Sequence, residues 1–162
     1  MSDDWTPEDH RSAPSKFFED LQVGQKFVIP SRTQTSALFA AFQTASGDND
    51  PIHYDVEYCR RLGHRDMLAH GMQVFNQTAA GAGDFPSVVA DSLIGMLEVS
   101  AEFHKPVFRG DTLYPLLEIT ALIPQNTTGV VVMSATVRNQ EGTVVMTGVH
   151  KYLLRKRDAA DG

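Results

Sequence analysis

Two short segments of this sequence contain the side chains best suited to acid–base chemistry. In the first, Ser46–His53, the carboxylate of Asp48 precedes the imidazole of His53 by five residues. In the second, His70-Gly71-Met72, a glycine opens a run of small and apolar residues that predicts a buried helix. A carboxylate and an imidazole can together activate a water molecule, and free N–H groups at a helix N-terminus can bind a developing oxyanion. We therefore predict that the two segments meet in one site.

The acidic loop has two other interpretations. Asp48, Asn49 and Asp50 can make Asx turns while His53 only packs or caps, in which case the loop is structural. Together with Asp55, the loop also holds oxygen and nitrogen ligands in close sequence, as a metal site would. Because no cluster of cysteine and histidine with a known metal spacing accompanies them, the sequence predicts no metal.

Other chemistries find less support. Cys59 is the only cysteine, so it cannot form an internal disulfide, and we expect it to be a small buried hydrophobe rather than a nucleophile. The serine, threonine and histidine residues suggest no nucleophilic triad, and no glycine-rich phosphate loop is present. The sequence predicts no cofactor.

Composition limits the class of protein. A chain of 162 residues with 42% hydrophobic and 21% charged residues is typical of one globular domain. The net charge of −6 argues against nucleic acid as a partner, since phosphate binding needs a basic surface. Apolar runs are too short to span a membrane. An acidic start, Met1–Trp5, and the lone cysteine predict a cytoplasmic location.

The first half of the chain predicts the elements that position the site. We expect flexible tails over residues 1–15 and 158–162, and a single domain over residues 16–157. The predicted elements are a strand from Lys26 to Thr35, a helix from Ser36 to Ser46-Gly47 with a hydroxyl N-cap, a short helix from Asp55 to Leu62, and a buried helix over 71–83 with Met72, Phe75, Ala79 and Ala82 on one stripe.

The second half alternates in the manner of strands. Residues 93–108 alternate and are followed by a turn at Arg109-Gly110-Asp111. Further alternating runs place on shared faces Leu113, Leu117, Ile119, Ala121 and Ile123, and then Val131, Met133, Ala135 and Val137. Hairpin-linked strands of this length predict a twisted antiparallel sheet with one face covered by the helix over 71–83, which is an α+β plan.

These residues also carry a family resemblance. Ser46–His53 followed by His70-Gly71-Met72 resembles the signature of the MaoC-like, R-specific enoyl-CoA hydratase family. Phe17–Gln25 and Phe103–Leu113 are similar to that family as well, so the resemblance covers residues 17 to 155. It implies a hot-dog fold, in which an antiparallel sheet wraps around a central buried helix, assembled as a homodimer or a higher homo-oligomer.

The resemblance implies a reaction too. It is the addition of water to a trans-2-enoyl thioester of CoA, giving an (R)-3-hydroxyacyl thioester, or the reverse dehydration. Carried over to this sequence, it makes Asp48 and His53 catalytic and the Gly71 N–H an oxyanion hole. Further substrate-binding residues implied in this way are Asp50, His70 and Met72.

Two positions depart from the family pattern. The family usually has asparagine where this chain has Asp50, and often a serine where it has Ala79. These departures support one alternative, a non-catalytic acyl-binding subunit. A second alternative is a hot-dog thioesterase that hydrolyses an acyl-CoA, because a carboxylate that activates water could direct it at the carbonyl instead of the double bond.

Overall fold

The computed structural model of the chain describes residues 4–157. Its strands are β1 (Lys26–Val28), β2 (Arg32–Thr33), β3 (Leu93–Phe103), β4 (Thr112–Pro124), β5 (Thr128–Arg138) and β6 (Val144–Arg155). They form one antiparallel sheet in the order β1-β4-β5-β6-β3, and β2 pairs with the start of β4. The predicted α+β class is therefore confirmed.

The α-helices are short and lie between β2 and β3 in the sequence. They are α1 (Ser36–Ser46), α2 (Val56–Arg61), α3 (Gly71–Asn76) and α4 (Phe85–Val88). Single turns of 3-10 helix occur at Pro7–Asp9, Phe18–Asp20, Pro51–His53 and Ala80–Ala82. Within residues 4–157 no helix has the length and apolar character needed to cross a membrane.

The core lies between the sheet and the segments from α3 to α4. Alternate residues of β5 point inward, and the predicted face of Val131, Met133, Ala135 and Val137 is buried as expected. The main cluster combines residues of β1, β4, β5 and β6 with α4 and the 3-10 turn before it, through Phe85 and Ala80. A second cluster packs Val74 of α3 on the other end of the sheet. The rings of Phe27 and Phe85 meet edge to face, with centroids 5.1 Å apart.

The predicted inward face of β4 is correct up to Ile119 and wrong beyond it. The pairing register with β5 shifts between Ile119 and Ala121, which makes Thr120 a bulge residue. An extra residue exchanges the two faces of a strand because side chains alternate with a period of two. Leu122 consequently packs against the core, while Ile123 is 50% exposed.

The predicted buried helix over residues 71–83 is shorter than expected. α3 ends at Asn76, and the next three backbone N–H groups bond to carbonyls three residues back, as in a 3-10 turn. The Thr78 hydroxyl donates to the Phe75 carbonyl at 2.7 Å and takes the acceptor that a continuing helix would use. Residues 80–82 then form a separate turn.

Prolines explain two further differences from the predicted strands. Pro30 divides the predicted strand over 26–35 into β1 and β2, because proline cannot donate to the ladder. The strand predicted over 93–108 ends at Phe103, shortly before Pro106. β3 pairs with β6 rather than with β4, so residues 104–111 cross to the far side of the sheet instead of forming a hairpin.

The predicted tails stay predictions. The segment 158–162 lies outside the described residues, as do residues 1–3. Residues 4–15 include the Pro7–Asp9 turn, and Arg11 Nη1 lies 2.6 Å from a carboxylate oxygen of Asp91.

Gly148 is a point where the sheet tolerates no side chain. It lies in β6 between Ala135 of β5 and Ala101 of β3, and a Cβ there would lie 2.2 Å from the Ser100 carbonyl oxygen. We expect Gly148→Ala to lower the free energy of unfolding by about 1–3 kcal/mol, the usual cost of overpacking. Denaturant titration measures it. Gly95→Ala in β3, where nothing lies within 4 Å, is the control, and an equal loss in both variants would refute the close approach.

Candidate active site

The acidic loop is held by a series of side-chain to backbone hydrogen bonds. It leaves α1 through Gly47, whose φ of 72° is the left-handed conformation that glycine favours at a helix end. Asp48 Oδ1 then accepts from the Asp50 N–H at 3.1 Å, and Asp50 Oδ1 accepts from the Ile52 N–H at 3.0 Å. Both carboxylates thus form Asx turns. In Asp48 this leaves the second oxygen, Oδ2, directed towards His70.

His53 ends the 3-10 turn that follows Pro51, and one hydrogen bond fixes its ring. Nδ1 lies 2.7 Å from the carbonyl oxygen of Leu68. A carbonyl can only accept, so Nδ1 carries the proton and a neutral His53 has its lone pair on Nε2. Among residues 4–157 Nε2 has no hydrogen-bond partner. His53 therefore presents a proton acceptor on its free side.

His70 lies directly behind this pair. Its ring stacks on the His53 ring with a centroid distance of 3.6 Å and an angle of 23° between planes, and it is 3% exposed. Its Nε2 lies 2.9 Å from the Tyr54 hydroxyl and 3.6 Å from Asp48 Oδ2. One carboxylate oxygen of Asp48 and one ring nitrogen from each histidine lie within 4.8 Å of one another. The predicted acid and imidazole do meet, with a second imidazole beneath them.

The electrostatics of the site bear on Tyr54. Burial raises the pKa of its hydroxyl, and the negative charge of Asp48 raises that pKa further. Tyr54 consequently stays protonated around neutral pH and can donate its proton to a neighbouring lone pair.

Gly71, the predicted oxyanion donor, is the first residue of α3. Its backbone N–H has no hydrogen-bond acceptor within the part of the chain from residue 4 to 157. The Phe103 ring covers the glycine, since a Cβ there would lie 3.3 Å from the ring. A cavity of about 300 Å³ opens beside it, lined by Ala69, Gly71, Val74, Phe103, His104, Lys105, Pro106 and Val107.

A family comparison fits this arrangement. The profile of the MaoC like domain matches residues 19–142, which includes the acidic loop, His70 and Gly71. The chain belongs to the MaoC-like domain family. The predicted resemblance is thereby confirmed at the level of the family.

Two relatives of the MaoC-like chain are dehydratases by name. It is 26% identical over 149 residues to 3-hydroxybutyryl-CoA dehydratase of Methylorubrum extorquens, covering 90% of this chain and 88% of that protein. It is 31% identical over 104 residues to the mitochondrial 3-hydroxyacyl-acyl-carrier-protein dehydratase of Arabidopsis thaliana. In that case the match spans 63% of this chain and 58% of the plant protein's length.

Solved structures confirm the hot-dog fold. R-hydratase PhaJ1 from Pseudomonas aeruginosa superposes with a TM-score of 0.73 at 26% identity, covering 87% of this chain and 86% of that one. A Mycobacterium tuberculosis protein described as a double hot-dog fold gives a TM-score of 0.73 at 25% identity. The match covers 89% of this chain and 46% of that protein.

Some predicted residues of this MaoC-like site lie apart from its centre. The Asp50 carboxylate caps the turn before His53. Met72, predicted on a buried stripe, is 60% exposed. Asp55 caps α2 by accepting from the Tyr58 N–H. Cys59 is fully buried and its thiol donates to the Ile52 carbonyl, so it packs as a small hydrophobe as expected.

Sequence reasoning missed the residues that surround His70. Tyr54 follows His53 directly, and an adjacent hydroxyl was the available signal. Gln73 and Gln34 lie in contact behind the ring, 39 positions apart in the chain. No local pattern relates two glutamines so far apart, so only the fold reveals them.

The same donor atoms bear on the metal alternative. Asp48, His53 and His70 form a set that fits a divalent cation in ligand type and spacing. However, His70 Nε2 lies 2.9 Å from the Tyr54 hydroxyl, and a metal bound to that nitrogen would have to displace the hydroxyl. The donor set by itself is compatible with a cation, and its hydrogen bonds favour acid–base chemistry.

Proposed function

We propose that this MaoC-like protein is an (R)-specific enoyl-CoA hydratase, or in reverse a 3-hydroxyacyl-CoA dehydratase. One observation carries the proposal: a carboxylate oxygen of Asp48 and a ring nitrogen of His53 lie within 4.8 Å of each other. Two hydrogen bonds of about 2.8 Å each can span such a gap through one water molecule. The pair is therefore spaced to hold a water between them.

The proposed reaction uses Asp48 and His53 for proton transfer and the Gly71 N–H for charge stabilisation. As the water oxygen bonds to C3 of the enoyl thioester, one proton of the water passes to the Asp48–His53 pair, and a proton from that pair goes to C2. Negative charge develops on the thioester oxygen between these events, and the unpaired Gly71 N–H is suited to bind it. The atoms of one water are added across the double bond, and no cofactor takes part in the step.

Two cavities beside His70 support this placement of substrate. The cavity next to Gly71 suits the CoA side, because Lys105 also lines an adjoining groove of about 600 Å³ that contains Arg65. Arg65 pairs with Asp111 of the same groove at 2.6 Å, so Lys105 is the side chain placed there to meet a phosphate of CoA. The names of the relatives, two dehydratases and one R-hydratase, point to the same reaction class.

Removing either member of the pair should abolish most of the activity. Because a general acid–base group contributes ~10²–10⁴-fold, we expect Asp48→Asn and His53→Ala each to lower hydration of crotonyl-CoA by about that factor. Loss of absorbance by the enoyl thioester measures it. Glu57→Gln, which removes an exposed carboxylate that pairs with Arg60 on the surface of α2, is the control for charge.

Near-normal turnover in both site variants would contradict the assignment. Two further assays, of thiol release and of acyl-CoA binding, separate the alternatives. A thioesterase would release free thiol from a saturated acyl-CoA, and we expect none. A non-catalytic subunit would bind acyl-CoA tightly without hydrating any chain length.

The second cavity suggests which acyl groups fit. It measures about 240 Å³ and lies between α1 and α3, next to Phe42 and Gln73, both of which contact His70. This volume is below the ~300–1,000 Å³ of pockets that hold drug-sized ligands. Half of its lining is polar, namely Arg32, Gln73, Asn76 and Gln77. Among residues 4–157 Arg32 has no ion-pair partner.

We therefore expect a limited acyl length and tolerance of a polar end. Activity should fall from trans-2-hexenoyl-CoA to trans-2-hexadecenoyl-CoA, whose tail exceeds the cavity. A six-carbon substrate with a terminal carboxylate should be accepted, and Arg32→Met should lower its kcat/KM about tenfold or more, because a charge-assisted hydrogen bond is lost. The uncharged six-carbon substrate is the matched control. Equal loss on both substrates would show that Arg32 does not contact the acyl end.

The edge of the sheet supports a homodimer with the site near its interface. β3 pairs only with β6, so its other edge is open within the described chain. This edge strand of eleven residues exposes five large apolar side chains: Ile94, Met96, Leu97, Val99 and Phe103. A long apolar edge is avoided in monomers, and Phe103 also covers Gly71. A second copy joined here would border the site.

Sedimentation at micromolar concentration tests the dimer. We expect a species of about twice 17.8 kDa, and a shift towards monomer in Val99→Lys, because a charge would be buried at the joint. Val28→Lys places the same charge on the opposite edge strand, where Val28 is exposed, and should leave the dimer intact. A fully active wild-type monomer would refute this assembly.

A further inference from the structure

A chain of buried carboxamides leads from the first strands to the ring of His70. Gln34, Gln73 and His70 are 0%, 2% and 3% exposed. Gln34 Nε2 donates to the Arg32 carbonyl at 3.2 Å, and Gln73 Nε2 donates to Gln34 Oε1 at 3.1 Å. His70 Nδ1 lies 3.4 Å from Gln73 Oε1, the longest link. Burying carboxamides costs free energy unless they are bonded, so two of them in contact behind one imidazole call for an explanation.

The Arg32 carbonyl, at one end of this row of hydrogen bonds, fixes the direction of every bond in the row. A backbone carbonyl only accepts, so Gln34 must turn its NH₂ group to Arg32 and its oxygen to Gln73. Gln73 must donate from its own NH₂ group to that oxygen, which leaves the Gln73 oxygen facing His70. Only a protonated Nδ1 can pair with that oxygen. Turning both amides round would set two acceptors against each other at Arg32.

The consequence for His70 reaches the proposed catalytic pair. With Nδ1 protonated, a neutral His70 has its lone pair at Nε2, and the Tyr54 hydroxyl at 2.9 Å donates to it. Asp48 Oδ2 lies 3.6 Å from the same nitrogen. Because Asp48 Oδ1 already accepts from the Asp50 N–H, Oδ2 is the oxygen with room for a water. A proton on Nε2 would compete with that water for Oδ2.

We infer that Gln34 and Gln73 are positioning residues that hold His70 in the Nδ1-protonated tautomer and so keep Asp48 Oδ2 open for the reacting water. Their effect on catalysis rests on the proposed function, whereas their effect on the tautomer does not. Neither glutamine needs to touch the reacting atoms. Gln34 does not contact His70 and acts on it only through Gln73.

The tautomer is measured directly by NMR of ¹⁵N-histidine-labelled protein. Two-bond correlations distinguish a protonated from an unprotonated ring nitrogen, and a His70→Asn sample identifies the signal of His70 among the six histidines. We expect wild-type protein to show a proton on Nδ1 and none on Nε2. A proton on Nε2 would overturn the inference.

Gln34→Met is the decisive variant because Gln34 does not contact His70. Without the fixed end, the Gln73 amide is free to turn and offer its NH₂ group to Nδ1, which favours a proton on Nε2 instead. We expect the His70 signals to change accordingly. The double variant Gln34→Met/Gln73→Met leaves no unpaired buried amide and should give mixed tautomers. A spectrum of Gln34→Met identical to wild type would also overturn the inference.

Kinetics and a control complete the test. In both variants kcat for crotonyl-CoA should fall roughly tenfold or more, without exceeding the ~10²–10⁴-fold that acid–base groups contribute, with KM unchanged. Ser92→Ala removes a hydrogen bond that the fully buried Ser92 hydroxyl donates to the Lys16 carbonyl, a bond that involves neither α3 nor His70, and should leave the His70 signals as they are. If wild-type protein shows the predicted tautomer but no hydration, the proposed function fails and the positioning role stands.

Discussion

The hydrogen bond from His53 Nδ1 to the Leu68 carbonyl is the contact on which the site depends. At 2.7 Å it selects the tautomer of His53 and ties the acidic loop to residues 67–69. That segment is itself paired with the crossing segment, since Ala69 N–H donates to the Val107 carbonyl at 2.8 Å and Leu68 bridges to Phe108. A loop of turn-forming residues is thereby attached to the sheet, which limits the positions that Asp48 and His53 can take.

Around that contact the site divides into an open side and a buried side. Asp48 is half exposed and His53 has a free Nε2, as groups that meet a substrate and a water must. His70, stacked underneath, is almost fully buried and surrounded by Tyr54, Gln73 and Phe42. Burial raises the pKa of the Tyr54 hydroxyl and so keeps a proton donor next to His70 Nε2. The open side can exchange protons while the buried side holds the geometry.

Local sequence patterns predicted what local physics decides. The hydroxyl cap of α1, which the structure places at Thr35, the glycine stop at Gly47 and the inward face of β5 follow from side-chain type and period, and all are present. The acid and the imidazole were predicted in the same way, because Asp48 and His53 lie five residues apart in one loop that Pro51 stiffens. Their roles in catalysis stay predictions.

Features that depend on distant contacts could not be predicted. The early end of α3 depends on the Thr78 hydroxyl, which lies beside His150 on β6, 72 positions away. The bulge at Thr120 appears only when β4 meets β5. The pairing of β3 with β6 requires a crossing that no hairpin signal marks. The Gln34–Gln73 contact is of the same kind, since no local sequence pattern relates two residues 39 positions apart.

The most direct test of the central claim is the product formed from crotonyl-CoA in heavy water. If Asp48 and His53 hold a water over the double bond and return a proton to C2, wild-type protein yields (R)-3-hydroxybutyryl-CoA with one deuterium at C2, as seen by chiral chromatography with mass spectrometry. The (S) product, or folded protein that binds crotonyl-CoA and leaves it unchanged, would contradict the account.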